Sequence, residues 1–263
     1  MAMLKDKENT FFRSSEIVVK FGGLTALNRA SISVRKNEIK GLIGPNGAGK
    51  TTLFNAITGY IPSQSGEIVF QGEKITGFKP HEIAKKGIIR TFQKRGILPN
   101  LTALENVMMG YHRLMDEVTF WHIGLRMKKF KVMEKEAVLR AREVLETVGL
   151  PEVSDHIAKD MSFGQQTLVE IGRTLMSEPK LLLLDEPAAG LSSLEREHLM
   201  EVLKRLVREH GVSLIISDHI MDFVMEICEQ LVVLNFGEVL AEGDGGYIRT
   251  HQGVLDAYLG GGG

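Results

Sequence analysis

Apolar and polar positions follow three successive rhythms along the chain. Over residues 16–43 the pattern favours short β pieces at Ile17–Phe21, Ser31–Val34 and Glu38–Ile43, with Gly22–Gly23 as the turn between the first two. Residues 50–58 switch to a helical rhythm, with Leu53, Phe54 and Ile57 on one face. A further strand is expected at Glu67–Phe70, bounded by Gly66 and Gly72. From about Leu104 to Thr174 helical periodicity dominates. There Val138, Ala141, Leu145 and Val148 draw one apolar stripe on a helix that ends at Gly149. β/α alternation then returns: a buried strand at Lys180–Leu184, a helix over about 193–210, and a strand at Val212–Ser217 followed by another helix. A closing hairpin, Leu231–Asn235 with Glu238–Ala241, turns at Phe236–Gly237. The pattern predicts a mixed α/β core interrupted by a helical insert.

Composition narrows the class without fixing it. The 263 residues, 43% hydrophobic and 25% charged, suffice to bury a core. The net charge of −1 supplies no overall basic field for nucleic acid. Cys228 is the single cysteine, which excludes an internal disulfide and fits a reducing compartment. Its neighbours Phe223, Val224 and Ile227 suggest a buried structural thiol. The first ten residues lack the apolar stretch of a signal peptide. Apolar runs such as Leu181–Leu184 fall far short of the ~18–20 residues that span a bilayer, so a membrane role would go through a partner. Gly260–Gly263 reads as a flexible tail.

Chemistry enters at residues 44–52. Gly44, Pro45, Asn46, Gly47, Ala48, Gly49, Lys50 and Thr51 match the P-loop pattern, between the strand ending at Ile43 and a helix, which is the context the motif requires. Glycines there let backbone N–H groups turn toward phosphate oxygens, and the helix start adds its positive dipole. Lys50 would reach the β- and γ-phosphates and the Thr51 hydroxyl would ligate Mg²⁺, with Thr52 completing the nucleotide-binding candidates. The partner motif is Leu181–Glu186: four leucines predict a strand buried on both faces, from which Asp185 and Glu186 emerge at the C-terminal end. Asp185 would support Mg²⁺ through water, and Glu186 would orient or deprotonate the water attacking the γ-phosphate.

Met161-Ser162-Phe163-Gly164-Gln165-Gln166, just before the acidic strand, resembles the LSGGQ signature of ABC ATPases. Ser162 and Gly164 suit a helix start that presents hydroxyl and N–H donors to an anion. The other marks fall in family order. Phe21 matches the adenine-stacking aromatic, Gln93 the Q-loop glutamine that senses Mg²⁺ and the transmembrane partner, Ala189–Ser193 the D-loop, and His219 the γ-phosphate switch histidine.

The resemblance covers residues 14 to 259. It implies a single ABC nucleotide-binding domain of P-loop NTPase type, with a RecA-like core at about 14–93 and 176–259, an antiparallel β edge and a helical subdomain at about 94–175. It also implies ATP and Mg²⁺ as ligands and a head-to-tail dimer. There each ATP lies between one P-loop and the other subunit's Ser162, Gly164 and Gln165.

Finer resemblance points to ATPase subunits of branched-chain amino-acid importers. It is carried by Phe21–Leu27, Ile43–Thr52, Ile89–Gln93, Pro187–Leu191 and Val254–Leu259. Residues 110–135, with Phe120 and Trp121, resemble the extra segment of the longer of two paralogous subunits, which suggests a heterodimer. Trp121 reads either as a partner-facing aromatic or as packed core. Permease subunits would dock near Gln93–Glu105, the only route to the membrane, placing the chain in the cytoplasm on the inner face. Related systems for urea, amide or aromatic-acid import and for lipopolysaccharide export share the pattern. A non-transport ABC ATPase would carry a coiled-coil insertion, tandem motifs or a basic region, none of which is visible. Three departures stand out: Ser217–Ile220 in place of the usual acidic-His-Asp pattern, Ser192-Ser193 where Asn-Pro is common, and Gln165-Gln166 after Gly164 with Phe163 in the variable slot, the last within family variation.

Overall fold

In a computed structural model that describes residues 10–91, 96–114 and 123–259, the chain divides into two compact units. The first comprises residues 1–90, 180–189 and 203–263, and the second residues 91–179 and 190–202.

The first unit holds two sheets. A four-stranded antiparallel sheet has the order β2-β1-β4-β5, from β1 (Thr10–Phe21), β2 (Leu24–Arg35), β4 (Ser65–Phe70) and β5 (Glu73–Lys74). A six-stranded sheet runs β10-β9-β3-β8-β7-β6, from β3 (Ile39–Ile43), β6 (Ile88–Arg90), β7 (Leu181–Asp185), β8 (Ser213–Ser217), β9 (Gln230–Asn235) and β10 (Glu238–Gly243). Its inner strands pair in parallel and only β10 joins antiparallel. Every residue of β3, β7 and β8 is buried. That explains their continuous apolar runs: a parallel strand covered on both faces has no solvent side to mark with polar residues.

α1 (Lys50–Ile57) follows β3 and sinks Leu53, Phe54 and Ile57 into a cluster that includes Phe12, Leu27, Leu42, Leu183 and Val232. Each such side chain contributes about 1.5–3 kcal/mol of burial. α2 (Pro80–Lys86), α7 (Met221–Ile227), α8 (Gly245–Thr250) and α9 (Gln252–Leu259) complete this unit. Cys228 directly follows α7, is buried, and has its thiol pKa raised by that burial.

The second unit is helical. It contains α3 (Ala103–Met108), a 3-10 turn at Met109–Leu114, α4 (Ile123–Thr147), α5 (Phe163–Leu175) and the first ten residues of α6 (Ser193–His210). Ala141, Leu145 and Val148 of the predicted stripe are fully buried. α4 ends as the sequence expects: the N–H of Gly149 donates to Glu146 O and that of Leu150 to Leu145 O, the paired closure of a Schellman motif.

The antiparallel edge corrects the expected short pieces. β1 and β2 run 12 residues each, because register shifts at Ser14/Ile17 and Val19/Lys20 absorb the breaks in alternation that read as strand ends. Gly66 lies inside β4 rather than bounding it, opposite the shift between Ser15 and Val18. α2 and β6 carried no legible periodicity; β6 is only three residues long. No helix among the described residues is long and apolar enough to cross a membrane. Gln93, Phe120, Trp121 and the tail Gly260–Gly263 lie outside the described residues.

Candidate functional site

In the first unit the site begins where β3 leaves the sheet. Gly44 takes φ 150°, and a Cβ there would stand 2.1 Å from the Leu234 carbonyl oxygen, so a side chain cannot fit. The loop then closes on itself: the Ala48 N–H donates to Pro45 O at 3.1 Å, and the Gly237 N–H donates to Ala48 O at 3.0 Å. Asn46 and Gly47 are exposed at its tip and Ala48 is buried beneath.

Gly49 begins α1 without a side-chain cap. The first-turn amides of Lys50, Thr51 and Thr52 therefore lack helix acceptors, and the positive end of the helix dipole favours an anion. The Lys50 Nζ donates to Gly44 O at 2.6 Å and Pro45 O at 3.1 Å, which seats the ammonium over the loop. Burial lowers the Lys50 pKa, while the nearby carboxylates of Glu186 and Asp185 pull it upward. Phe21 ends β1 with about half its surface open to solvent.

The acidic pair sits at the end of β7. Asp185 pairs in register with Ser217 of β8 and is buried. Its Oδ2 accepts from Arg90 Nη2 at 2.6 Å. Arg90 is itself braced, donating from Nη1 to Asn55 Oδ1 at 2.5 Å and lying 5.4 Å over the Phe54 ring. Glu186 turns the chain off the strand at φ 51°, unusual for a non-glycine residue, and its N–H donates to Ser217 O at 2.6 Å.

Asp218, fully buried just past the end of β8, joins two turns at the rim of the site. Its Oδ1 accepts the N–H groups of His219 at 2.8 Å and Ile220 at 3.0 Å, and its Oδ2 that of Ala188 at 2.9 Å. The His219 ring lies 3.7 Å from that carboxylate with its side chain 58% exposed. One carboxylate thus ties the His219 turn to the turn after Glu186.

These groups fit a polyphosphate with a hard divalent cation: a glycine-rich loop, an uncapped helix start, one ammonium and two carboxylates. Among the described residues no group of three His, Cys, Asp or Glu could hold a metal. The Thr51 hydroxyl and Asp185 would share a cation with phosphate oxygens, as suits Mg²⁺.

In the second unit, Ser162 is the N-cap of α5. Its Oγ accepts the Gln165 N–H at 3.3 Å, and the Gln165 side chain accepts the Ser162 N–H at 3.0 Å. Ser162 Oγ and the Gly164 N–H both donate to Glu195. The described part of the segment between Gln93 and Glu105 wraps around the fully buried Asn106. Its amide bonds the backbone of Leu98, Leu101 and Thr102 at 2.8 to 3.3 Å.

The sequence reading missed Arg90, Asp218, Asn106 and Glu195 as organisers, and Tyr258, whose phenol meets the Gly44 backbone. Asp218 was signalled only as part of a departure from a pattern. Arg90 stands within the Ile89–Gln93 stretch, but nothing local tied it to Asp185.

Residues 27–189 match the family described as ABC transporter. The chain is 40% identical over 247 residues to the high-affinity branched-chain amino acid transport ATP-binding protein BraF of Pseudomonas aeruginosa, covering 94% of this chain and 96% of that one. Among solved structures, it is similar to the ADP conformation of an ATP-binding cassette of an ABC transporter. That match has 34% identity and a TM-score of 0.84, covering 95% of this chain and 99% of the other. It is also similar to a dimeric, post-hydrolysis ATP-binding cassette bound to ADP and Pi, at 27% identity and TM-score 0.72, covering 89% and 98%.

Proposed function

Because the chain belongs to the ABC transporter family and is an ATPase of that family, we propose that it energises the import of branched-chain amino acids by closing with a second ATPase subunit around ATP. The likeness to BraF over nearly the full length of both proteins supports the choice of cargo. The observation that carries the chemistry is Lys50 seated on the loop at Gly44–Gly49 within electrostatic reach of Glu186 and Asp185, while Asp218 ties the His219 turn to the turn after Glu186.

In this reading the amides at Gly47–Thr52 and the Lys50 ammonium bind the β- and γ-phosphates, and Phe21 stacks on the adenine. Mg²⁺, when bound, would neutralise phosphate charge, and Thr51, Gln93 and, through water, Asp185 would hold it. Glu186 takes the proton of the attacking water, and His219 donates to the γ-phosphate. Ser162, Gly164 and Gln165 serve the other subunit's nucleotide. Closure follows from ATP bridging two surfaces, and opening follows from its cleavage. In vitro a second copy of this chain fills the partner role.

Permease subunits dock on the segment from Gln93 to Glu105, whose described part is fixed around Asn106. The protein then works in the cytoplasm at the inner face of the membrane, touching it only through the permease. The test is Glu186→Gln. ATP titration should show binding retained, while phosphate release falls by about 100-fold or more and the ATP-bound dimer accumulates. Unchanged phosphate release would remove Glu186 from the role of base.

A further inference from the structure

Ser162 and Gln165 satisfy each other's N–H at the start of α5, as a capping box does. Two further donors stand beside them, the Ser162 hydroxyl proton and the Gly164 N–H. Both go to a single atom, Oε1 of Glu195, at 2.8 and 3.0 Å. The other oxygen, Oε2, accepts the N–H and the hydroxyl of Ser192 at 2.9 and 2.8 Å. The approach is close: a Cβ on Gly164 would lie 2.8 Å from Glu195 Oε1 and from its Cγ. A hydroxyl and a helix-start amide closing on one anionic oxygen is also the arrangement that receives a phosphate oxygen. The carboxylate therefore occupies the donors that the proposed closure assigns to a partner's nucleotide. Two anions cannot share them.

We propose that Glu195 is a positioning residue that holds Ser162 and Gly164 in donor geometry in the open subunit and is displaced from them by the γ-phosphate of the partner's ATP. This rests on the proposed closure of two subunits around ATP. Because the same carboxylate also holds Ser192, its displacement releases the residue that starts α6, so phosphate arrival at α5 is registered at Ser192. The closed form is available only to the fraction of subunits from which Glu195 has withdrawn, and this lowers the apparent affinity for ATP. Glu195 also caps α6 through Ser192, and a merely structural role would give the opposite sign. Loss of a cap would weaken closure, whereas loss of a competitor tightens it.

The experiment uses the full chain carrying Glu186→Gln, titrated with ATP and Mg²⁺ while self-association is followed by light scattering. Adding Glu195→Ala should lower the ATP concentration at half-association by about fivefold or more. Glu195→Gln, which keeps the shape and can still cap the helix, should fall between. Glu197→Gln makes the same charge change on the exposed face of the same helix and should leave the midpoint unmoved. A midpoint unchanged or raised in both Glu195 variants overturns the proposal, and so does an equal shift in Glu197→Gln, which would make the effect one of general charge. If the Glu186→Gln parent itself stays monomeric with ATP, the closure reading fails first and takes this inference with it.

Discussion

The phosphate loop of the first unit and the Ser162–Gly164 turn of the second both present donors to an anion, yet they hold those donors in different ways. Around the loop, the neighbouring acidic groups are fixed by buried charge. Arg90 and Asp185 pair with side chains 11% and 2% exposed, and Asp218 is fully enclosed. At the Ser162 turn orientation comes from Glu195, an accessible carboxylate at the start of an exposed helix face. A buried pair resists rearrangement because separating it strands a charge away from water. A solvent-facing carboxylate leaves its partners at little cost. The first region is built to stay fixed, the second to let go.

The sharpest way to break that contrast is Arg90→Met. Asp185 would lose its guanidinium partner inside the core, and removing one member of a buried pair costs about 3–5 kcal/mol. Denaturant unfolding should show this loss. Mg²⁺-dependent nucleotide affinity should fall as well, because the carboxylate is no longer aimed. A variant of wild-type stability would mean that the pair is not what fixes the acidic strand end.

Asp218→Ala comes next in size. Three N–H groups lose their acceptor, the buried one of Ala188 and the part-buried ones of His219 and Ile220, at an expected cost of about 1–3 kcal/mol for the buried group left unsatisfied. Phosphate release should drop further than ATP affinity, since the His219 turn loses its tie while the loop at Gly44–Gly49 keeps its own hydrogen bonds. Equal losses in both would place Asp218 in general folding rather than in holding His219.

This difference also decides what could be read from the sequence. The loop and the acidic strand are local: eight consecutive residues bring the glycines, the lysine and the threonine together, and four leucines announce a doubly covered strand before Asp185. The mixed α/β architecture with its helical insert was legible for the same reason, since each element carries its own period. The restraints were not, because they join distant positions. Arg90 reaches Asp185 across 95 residues, Glu195 reaches Ser162 across 33, and Asp218 reaches Ala188 across 30. Nothing in the neighbourhood of Arg90 distinguishes a buried anchor from a charge at the end of a short strand. Glu195 even carries a local explanation, a Ser-x-x-Glu cap with Ser192, which hides its second pair of donors. The antiparallel edge failed in another way: bulges broke the alternation by which strand length is judged.

Glu195 gives the smallest expected effect, and one whose sign separates the two regions. Four donated hydrogen bonds, led by those of Ser192 and Ser162, lower its pKa from 4.5 to about 2. A carboxylate depressed on folding adds stability that is fully present above its unfolded pKa and disappears as pH falls through the folded one. The advantage of the wild-type chain over Glu195→Gln should therefore be constant from neutral pH down to about 4.5 and close between about 4.5 and 2. Denaturation midpoints for the pair at several acidic pH values would measure it. Across the neutral range the carboxylate stays ionised, so its hold on Ser162 and Gly164 should be relieved by an arriving phosphate and not by protonation. A stability gap already closing near neutral pH would mean that the four donors do not converge on Glu195 in solution, and the Ser162 turn would then lose the restraint that sets it apart from the loop.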